Sequence, residues 1–320
     1  MPYYPPRQEE SQRSDPPRKH PAARWILLCV STLLLLYGGF RLITYLSDLN
    51  SSRQTTQELR EIADQAAVQQ KAKDMAVEED FQEDEPVFPE STTAPAEKEE
   101  TENKVASAVL PEVTYPSGYE VVPRIRELRK KSKYIIGWLT MDDLDEPVAH
   151  KDNSFFLNHD ATGKRNVNGA IFMDEHTGLL TRPYTILLYG HNMKTGAMFG
   201  NLRKYEQFSY CFQHRMIQFD TLYEEGQYVI FAVETISITP GKSKYLNLAA
   251  LQSSDRTTRS DALKVLLERS PHQMMLDVNE EDQLLILITC VGDDDERLIV
   301  AARRLRDGED AEKSIFQYTP

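Results

Sequence analysis

The run "WILLCVSTLLLLYGGF", Trp25 to Phe40, sets sixteen residues without a charge near the start of a 320-residue chain. "RLITYL" prolongs it past a single Arg41. A helix that crosses a bilayer needs about 20 mostly apolar residues, and an arginine near one end can carry its guanidinium to the interface. The run therefore predicts a single transmembrane helix over 25–46, and whatever folds in water has to be built from the residues after it. Arg7, Arg13, Arg18, Lys19 and Arg24 precede the run, whereas residues 42–60 offer only Arg53 and Arg60. This bias makes 1–24 a cytoplasmic tail and puts the rest of the chain outside the cell membrane as a single-pass protein. A cleaved signal peptide is the alternative, disfavoured by a long apolar core and the want of an A-x-A-like site after it.

The formal charge of −13 is concentrated rather than spread. Eleven acidic and two basic residues lie between Glu78 and Lys104. No basic stripe with interleaved aromatics appears, so no nucleic-acid partner is expected. Residues 47–118 read as two connecting pieces. The first, 51–77, is helix-prone with Leu59, Ile62 and Ala66 on one face; that seam lasts barely two heptads, too short to argue a coiled coil. The second, 78–118, is acidic and holds Pro86, Pro89, Pro95, Pro111 and Pro116, the composition of an extended, self-repelling linker. A folded domain is expected over 119–320.

Within that domain Pro123 opens a helical pattern with Ile125 and Leu128 on one face. "YIIGWLTM" (134–141), "GAIFM" (169–173), "YTILLYG" (184–190), "MIQFDT" (216–221), "QYVIFAVETISIT" (227–239), "LLILITC" (284–290) and "RLIVAARRL" (297–305) read as strands. "AMFGNLRKY" (197–205) and "RSDALKVLLERS" (259–270) are helix-like. Many short strands with few helices predict a mainly β protein, a barrel or a sandwich.

Cys29 falls inside the apolar run, which leaves Cys211 and Cys290 outside. A disulfide-stapled domain usually carries a larger even set, although these two could pair. Cys290 ends a strand, "VGDDDE" follows as a polar loop, and Arg297 opens the next strand. A strand-end cysteine is most often a small buried hydrophobe. Here a cation stands across a hairpin, and His191 stands at another strand end, between Gly190 and Asn192. A base or a cation favours the thiolate, and an arginine can steady a developing oxyanion without losing its proton. Gly190 is expected to let the backbone turn sharply, and Asn192 to bond its own backbone.

"YGHNMKTGAMFGNLRKY", followed by "LITC" and then Arg297 in "RLIVAARRL", closely resembles the class B sortases. "IIGWLTM", "KDNSFFLNHD" (151–160) and "GAIFMD" (169–174) occur in the family's order, and the likeness covers roughly residues 120–307. The resemblance implies a closed eight-stranded sortase-type β-barrel with N-terminal helices and a helix before the cysteine-bearing strand. It implies Cys290 as nucleophile, His191 as general acid/base and Arg297 as the oxyanion-steadying residue, with Asn192 and Thr289 in substrate binding. The implied reaction is transpeptidation: cleavage of a C-terminal sorting signal after threonine through a thioacyl enzyme, then transfer to an amine. The implied partners are surface proteins or pilins that bear such a signal, with cell-wall precursor or a pilin lysine as acceptor. The usual T-L-x-T-C appears as Ile286-Leu287-Ile288-Thr289-Cys290.

Other cysteine chemistries lack their motifs. C-G-S-C-W, Q-A-C-x-G and an S-H-G-C-type sequence are all absent, which counts against papain-like, caspase and L,D-transpeptidase readings. The histidines are scattered without metal-ligand spacing, so no metal or cofactor is expected. His150, His159, His176, His214 and His272 are expected at the surface or in turns, and Cys211 in a structural role. The alternatives are a different Cys/His hydrolase or a non-enzymatic anchored barrel, a scaffold or adhesin, which must treat His191, Cys290 and Arg297 as coincidence.

Overall fold

A computed structural model of the chain describes residues 21–80, 120–179, 182–271, 276–290 and 295–309. The tail to residue 20, the acidic linker from 81, the loop at 291–294 and His272 lie outside the described residues. The chain divides into two compact units, Met1–Ser47 and Asp48–Pro320. In the first, helix α1 (Pro21–Asp80) begins. Its apolar side chains from Trp25 to Leu46 are exposed along the run. Among the described residues this is the one helix long and apolar enough to cross a membrane.

The second unit is built on eight strands. They are β1 (Ile135–Met141), β2 (Leu144–His150), β3 (Ile171–Met173), β4 (Thr185–Tyr189), β5 (Met216–Thr221), β6 (Gln227–Ser237), β7 (Leu284–Cys290) and β8 (Glu296–Arg304). They close into a barrel in the order β1-β2-β3-β4-β7-β8-β6-β5. The β2–β3 and β4–β7 pairs are parallel and the rest antiparallel. Helix α2 (Pro123–Arg129) precedes β1, α3 (Phe208–Gln213) precedes β5, and α4 (Leu248–Leu251) and α5 (Arg256–Arg269) lie between β6 and β7. The barrel rather than the sandwich is the observed architecture, with the helix before the cysteine-bearing strand in place.

Two cores explain why β4, β7 and β8 read as unbroken apolar runs. Leu285, Leu287, Leu298 and Val300 point into the barrel with Trp138 and Phe219. Leu284, Ile286, Ile288, Ile299 and Ala301 point outward and are covered by Leu251, Leu263 and Leu266 of α4 and α5. Strands buried on both faces need no polar alternation. The Asp255 carboxylate caps α5 by accepting from the Thr258 N–H at 2.7 Å, which fixes where that cover begins.

Strand β2 is absent from the sequence reading. "LDEPVAH" holds two acids and a proline, and a proline counts against an interior strand. The strand tolerates it because pairing with β3 begins only at Val148, so at Pro147 the one strand neighbour is β1. Helices α3 and α4 were not expected either; each is under two turns. The helix-like 197–205 is a 3₁₀ run, Gly200–Glu206.

From Asp48 onward α1 packs on the barrel, burying Leu59, Ala63 and Ala66. Thr56 Oγ1 donates to the Glu146 carboxylate at 2.9 Å, and Arg60 pairs with Asp145 at 2.7 Å. The apolar seam seen in the sequence is thus occupied by the barrel itself. Burial pushes the Glu146 carboxyl up to about 7, against the Thr56 hydrogen bond and the nearby Arg60.

Candidate active site

Register brings the three sequence-selected positions together. Strand β4 runs parallel to β7 with Tyr189 beside Ile288, and the Gly190 N–H donates to the Ile288 carbonyl at 3.2 Å. Carrying that register two residues further sets the His191 position beside that of Cys290. On the other flank Cys290 is paired directly with Arg297 across the β7–β8 hairpin. Directly opposed positions share a face; here it is the outer face that also carries Ile288 and Ile299.

The His191 ring is held on two sides. Its Nε2 lies 2.8 Å from the Leu157 carbonyl. A carbonyl only accepts, so Nε2 carries the proton in the neutral ring and Nδ1 is left as its acceptor. Against the ring edge lies Gly169, whose φ of +63° favours glycine. A Cβ there would stand 3.0 Å from His191 Cδ2 and 2.3 Å from the Phe156 carbonyl oxygen, so a side chain at 169 would displace the ring, the backbone or both. The neighbouring Gly190 serves a purpose different from the expected one. Its backbone is not in the left-handed region; instead a Cβ would lie 2.7 Å from the buried Phe199 ring. Space for Phe199, rather than a sharp turn, is what requires glycine.

A cavity of about 450 Å³ opens at this rim, lined by His191, Thr289 and Arg297. Tyr245, Leu246 and Leu248 form a further wall, with Asn153, Leu157 and Tyr189 among the remaining lining residues. Arg297 is half-buried and donates from Nη1 to the Glu296 carbonyl at 2.9 Å. Thr289 is 2% exposed, and its Oγ1 makes no hydrogen bond. Asn192 lies past the imidazole, where its backbone bridges to Met198, and it is not among the lining residues. Burial and the Asp174 carboxylate raise the Tyr189 phenol well above its ordinary value, so it stays protonated in the cleft.

Sequence reasoning missed Asn153, Leu157 and the 245–248 wall. That wall belongs to no long element. Its place is set by a bridge between Ser237 and Tyr245 and by Arg269, which donates to the Tyr245 and Lys244 carbonyls at 2.7 Å. No local pattern announces such a contact. His150, His159, His176 and His214 do not line the cavity. Cys211 is a free, buried thiol pushed up to about 12 by burial, so it is inert and unpaired with Cys290.

Comparison with known proteins points to one family. The family model described as a sortase domain matches residues 141–305. Sortase B of Listeria monocytogenes is 29% identical over 174 residues, covering 53% of this chain and 68% of that protein. A crystal structure of sortase B from Bacillus anthracis superposes at a TM-score of 0.52 and 30% identity, covering 61% of this chain and 89% of that one. A Staphylococcus aureus sortase B–substrate complex also gives a TM-score of 0.52, at 25% identity, covering 58% of this chain and 87% of that one.

Proposed function

The chain belongs to the sortase family as a sortase B-type cysteine transpeptidase, and from that premise we propose that Cys290, His191 and Arg297 perform the transfer at the rim of the barrel. The observation that carries this assignment is the register: position 290 is paired with 297 on one side and, by extension, flanked by 191 on the other.

The thiolate of Cys290 attacks the carbonyl carbon of the scissile peptide, and Arg297 stabilises the negative charge that gathers on the carbonyl oxygen. The C–N bond then breaks, His191 gives its Nδ1 proton to the leaving amine, and a thioester remains. The incoming amine attacks that thioester while His191 takes its surplus proton, the C–S bond breaks, and the thiolate returns. Imidazole suits both transfers because it exchanges protons near neutral pH. Thr289, among the residues that line the cavity, and Asn192, beside His191, contact the bound peptide in this reading.

The substrates are surface proteins or pilins that carry a C-terminal sorting signal cut after threonine. The acceptor is an amine of cell-wall precursor or a pilin lysine. The solved relative described as a substrate complex supports the substrate assignment. Residues 25–46 of α1 serve as an uncleaved single-pass anchor, with 1–24 cytoplasmic and the catalytic domain outside. The exposed apolar run and the basic residues before it support that topology.

The experiment is the pH dependence of kcat/KM. The full chain should give a bell-shaped profile whose two limbs belong to the coupled His191–Cys290 pair. His191→Ala should abolish turnover and flatten the profile. A His191→Ala enzyme with a near-normal rate would remove the imidazole from the reaction.

A further inference from the structure

We propose that the Asp48–Ser52 stretch of α1 is a positioning element of the catalytic centre, bracing the 166–170 turn and, through it, the ring of His191. This rests on the reading of His191 as the proton carrier.

The contacts form three successive layers. In the first, the His191 ring lies between the Leu157 carbonyl and Gly169. In the second, Gly169 belongs to a turn in irregular backbone. Its N–H donates to the Asn166 carbonyl at 3.1 Å, and the Asn168 N–H donates to Asn166 Oδ1 at 2.9 Å. Ala170 N–H ties the turn to the Phe156 carbonyl at 3.0 Å, directly before Leu157. In the third layer α1 holds this turn from behind. Asn166 Nδ2 donates to the Asp48 carbonyl at 3.0 Å, the Val167 N–H to Asp48 Oδ2 at 3.3 Å, and Asn168 Nδ2 to Ser52 Oγ at 3.2 Å.

The weight falls on Asn168. It is fully buried, and its Oδ1 makes no hydrogen bond. A buried amide that loses its last side-chain partner is costly to keep in place. Because β3 starts only at Ile171, no ladder fixes residues 166–169. Backbone bonds anchor the turn at its ends, Asn166 N–H to the Asn158 carbonyl at 2.9 Å and Ala170 N–H to the Phe156 carbonyl at 3.0 Å, and side-chain bonds with α1 brace the residues between them. A shift of about 1 Å at Gly169 would change the space beside a ring to which even a Cβ at 169 would stand within 3.0 Å, and misplacement on that scale costs a reaction roughly 10²-fold.

The test needs no substrate: alkylation of Cys290 by iodoacetamide in the full chain in detergent micelles, followed by peptide mass. A nearby imidazole raises the reactive thiolate fraction. Ser52→Ala should slow alkylation about tenfold at neutral pH and move the His191 ring ¹³C resonance. Ser52→Thr, which keeps the hydroxyl, should restore both. Asp48→Ala, which strands no buried amide, should act in the same direction by about two- to threefold even if Ser52→Ala folds poorly. Glu58→Ala removes only the exposed pair with Lys131 and should change neither readout. His191→Ala sets the floor. Wild-type alkylation and an unmoved resonance in Ser52→Ala and Asp48→Ala, with His191→Ala slow, would overturn the positioning role alone. Wild-type alkylation in His191→Ala would instead overturn the reading beneath it.

Discussion

Arg297 and Arg303 stand six residues apart on the same strand and the same face, yet their surroundings are opposite. Arg303 is 1% exposed. Its Nε donates to the Asp277 carbonyl at 2.8 Å, and its two terminal nitrogens grip the Glu309 carboxylate at 2.5 and 2.6 Å. Arg297 is half-buried and faces the cavity opposite Cys290. Strand alternation alone cannot separate the two. What separates them is cover: residue 277 and Glu309 close over one end of β8, and the other end opens on the cleft. The same guanidinium is buried in an ion pair at one end and lines the cleft at the other.

The largest effect is expected at the closed end. Arg303→Ala should destabilise the domain by about 3–5 kcal/mol, because a buried ion pair loses one partner. Denaturant unfolding reads this directly, and the activity of each folded molecule should be unchanged. A loss below about 1 kcal/mol would break the comparison. Arg303→Lys should also lose stability while keeping activity, since an ammonium cannot make both the bidentate pair and the carbonyl bond. Arg297→Lys should reverse the pattern. It should cost the transition state about 3 kcal/mol, seen as a 10²- to 10³-fold fall in kcat. Stability should stay within about 0.5 kcal/mol. Equal kinetic losses at 297 and 303 would end the special role of Arg297.

A smaller effect sharpens the same distinction at a third charged group. Glu146, under α1, is raised from 4.5 to about 7 by burial. An acid whose folded value exceeds its unfolded one binds more protons when folded, so its contribution is present below about pH 4.5 and lost as pH rises through about 7. Glu146→Gln should flatten that decline by on the order of 1 kcal/mol, read as stability at pH 5 and pH 8. An unchanged slope would show that Glu146 ionises freely where it sits.

How much of this was legible in sequence follows from what each residue depends on. Strands β5 and β7 coincide with their sequence readings because their side chains alone identify them. His191 and Arg297 stand out in the sequence as strand-end polar residues, and the register sets both positions beside 290. Strand β2 was hidden because Pro147 breaks a local rule that the missing β3 neighbour makes harmless. Gly169 and the Tyr245 wall could not be found locally. One is needed for a ring 22 positions on, and the other is held by an arginine 24 positions away. Contacts of that range leave no periodic trace.

The central claim is that acyl transfer passes through Cys290. The measurement is intact mass of the full chain after incubation, without an amine acceptor, with a pool of peptides built on sorting-signal patterns. Wild-type protein and Cys211→Ala should each gain one acyl fragment, mapped to Cys290 and released by hydroxylamine, and Cys290→Ala should gain none. Peptide cleavage by Cys290→Ala, or an adduct on any other residue, would contradict it.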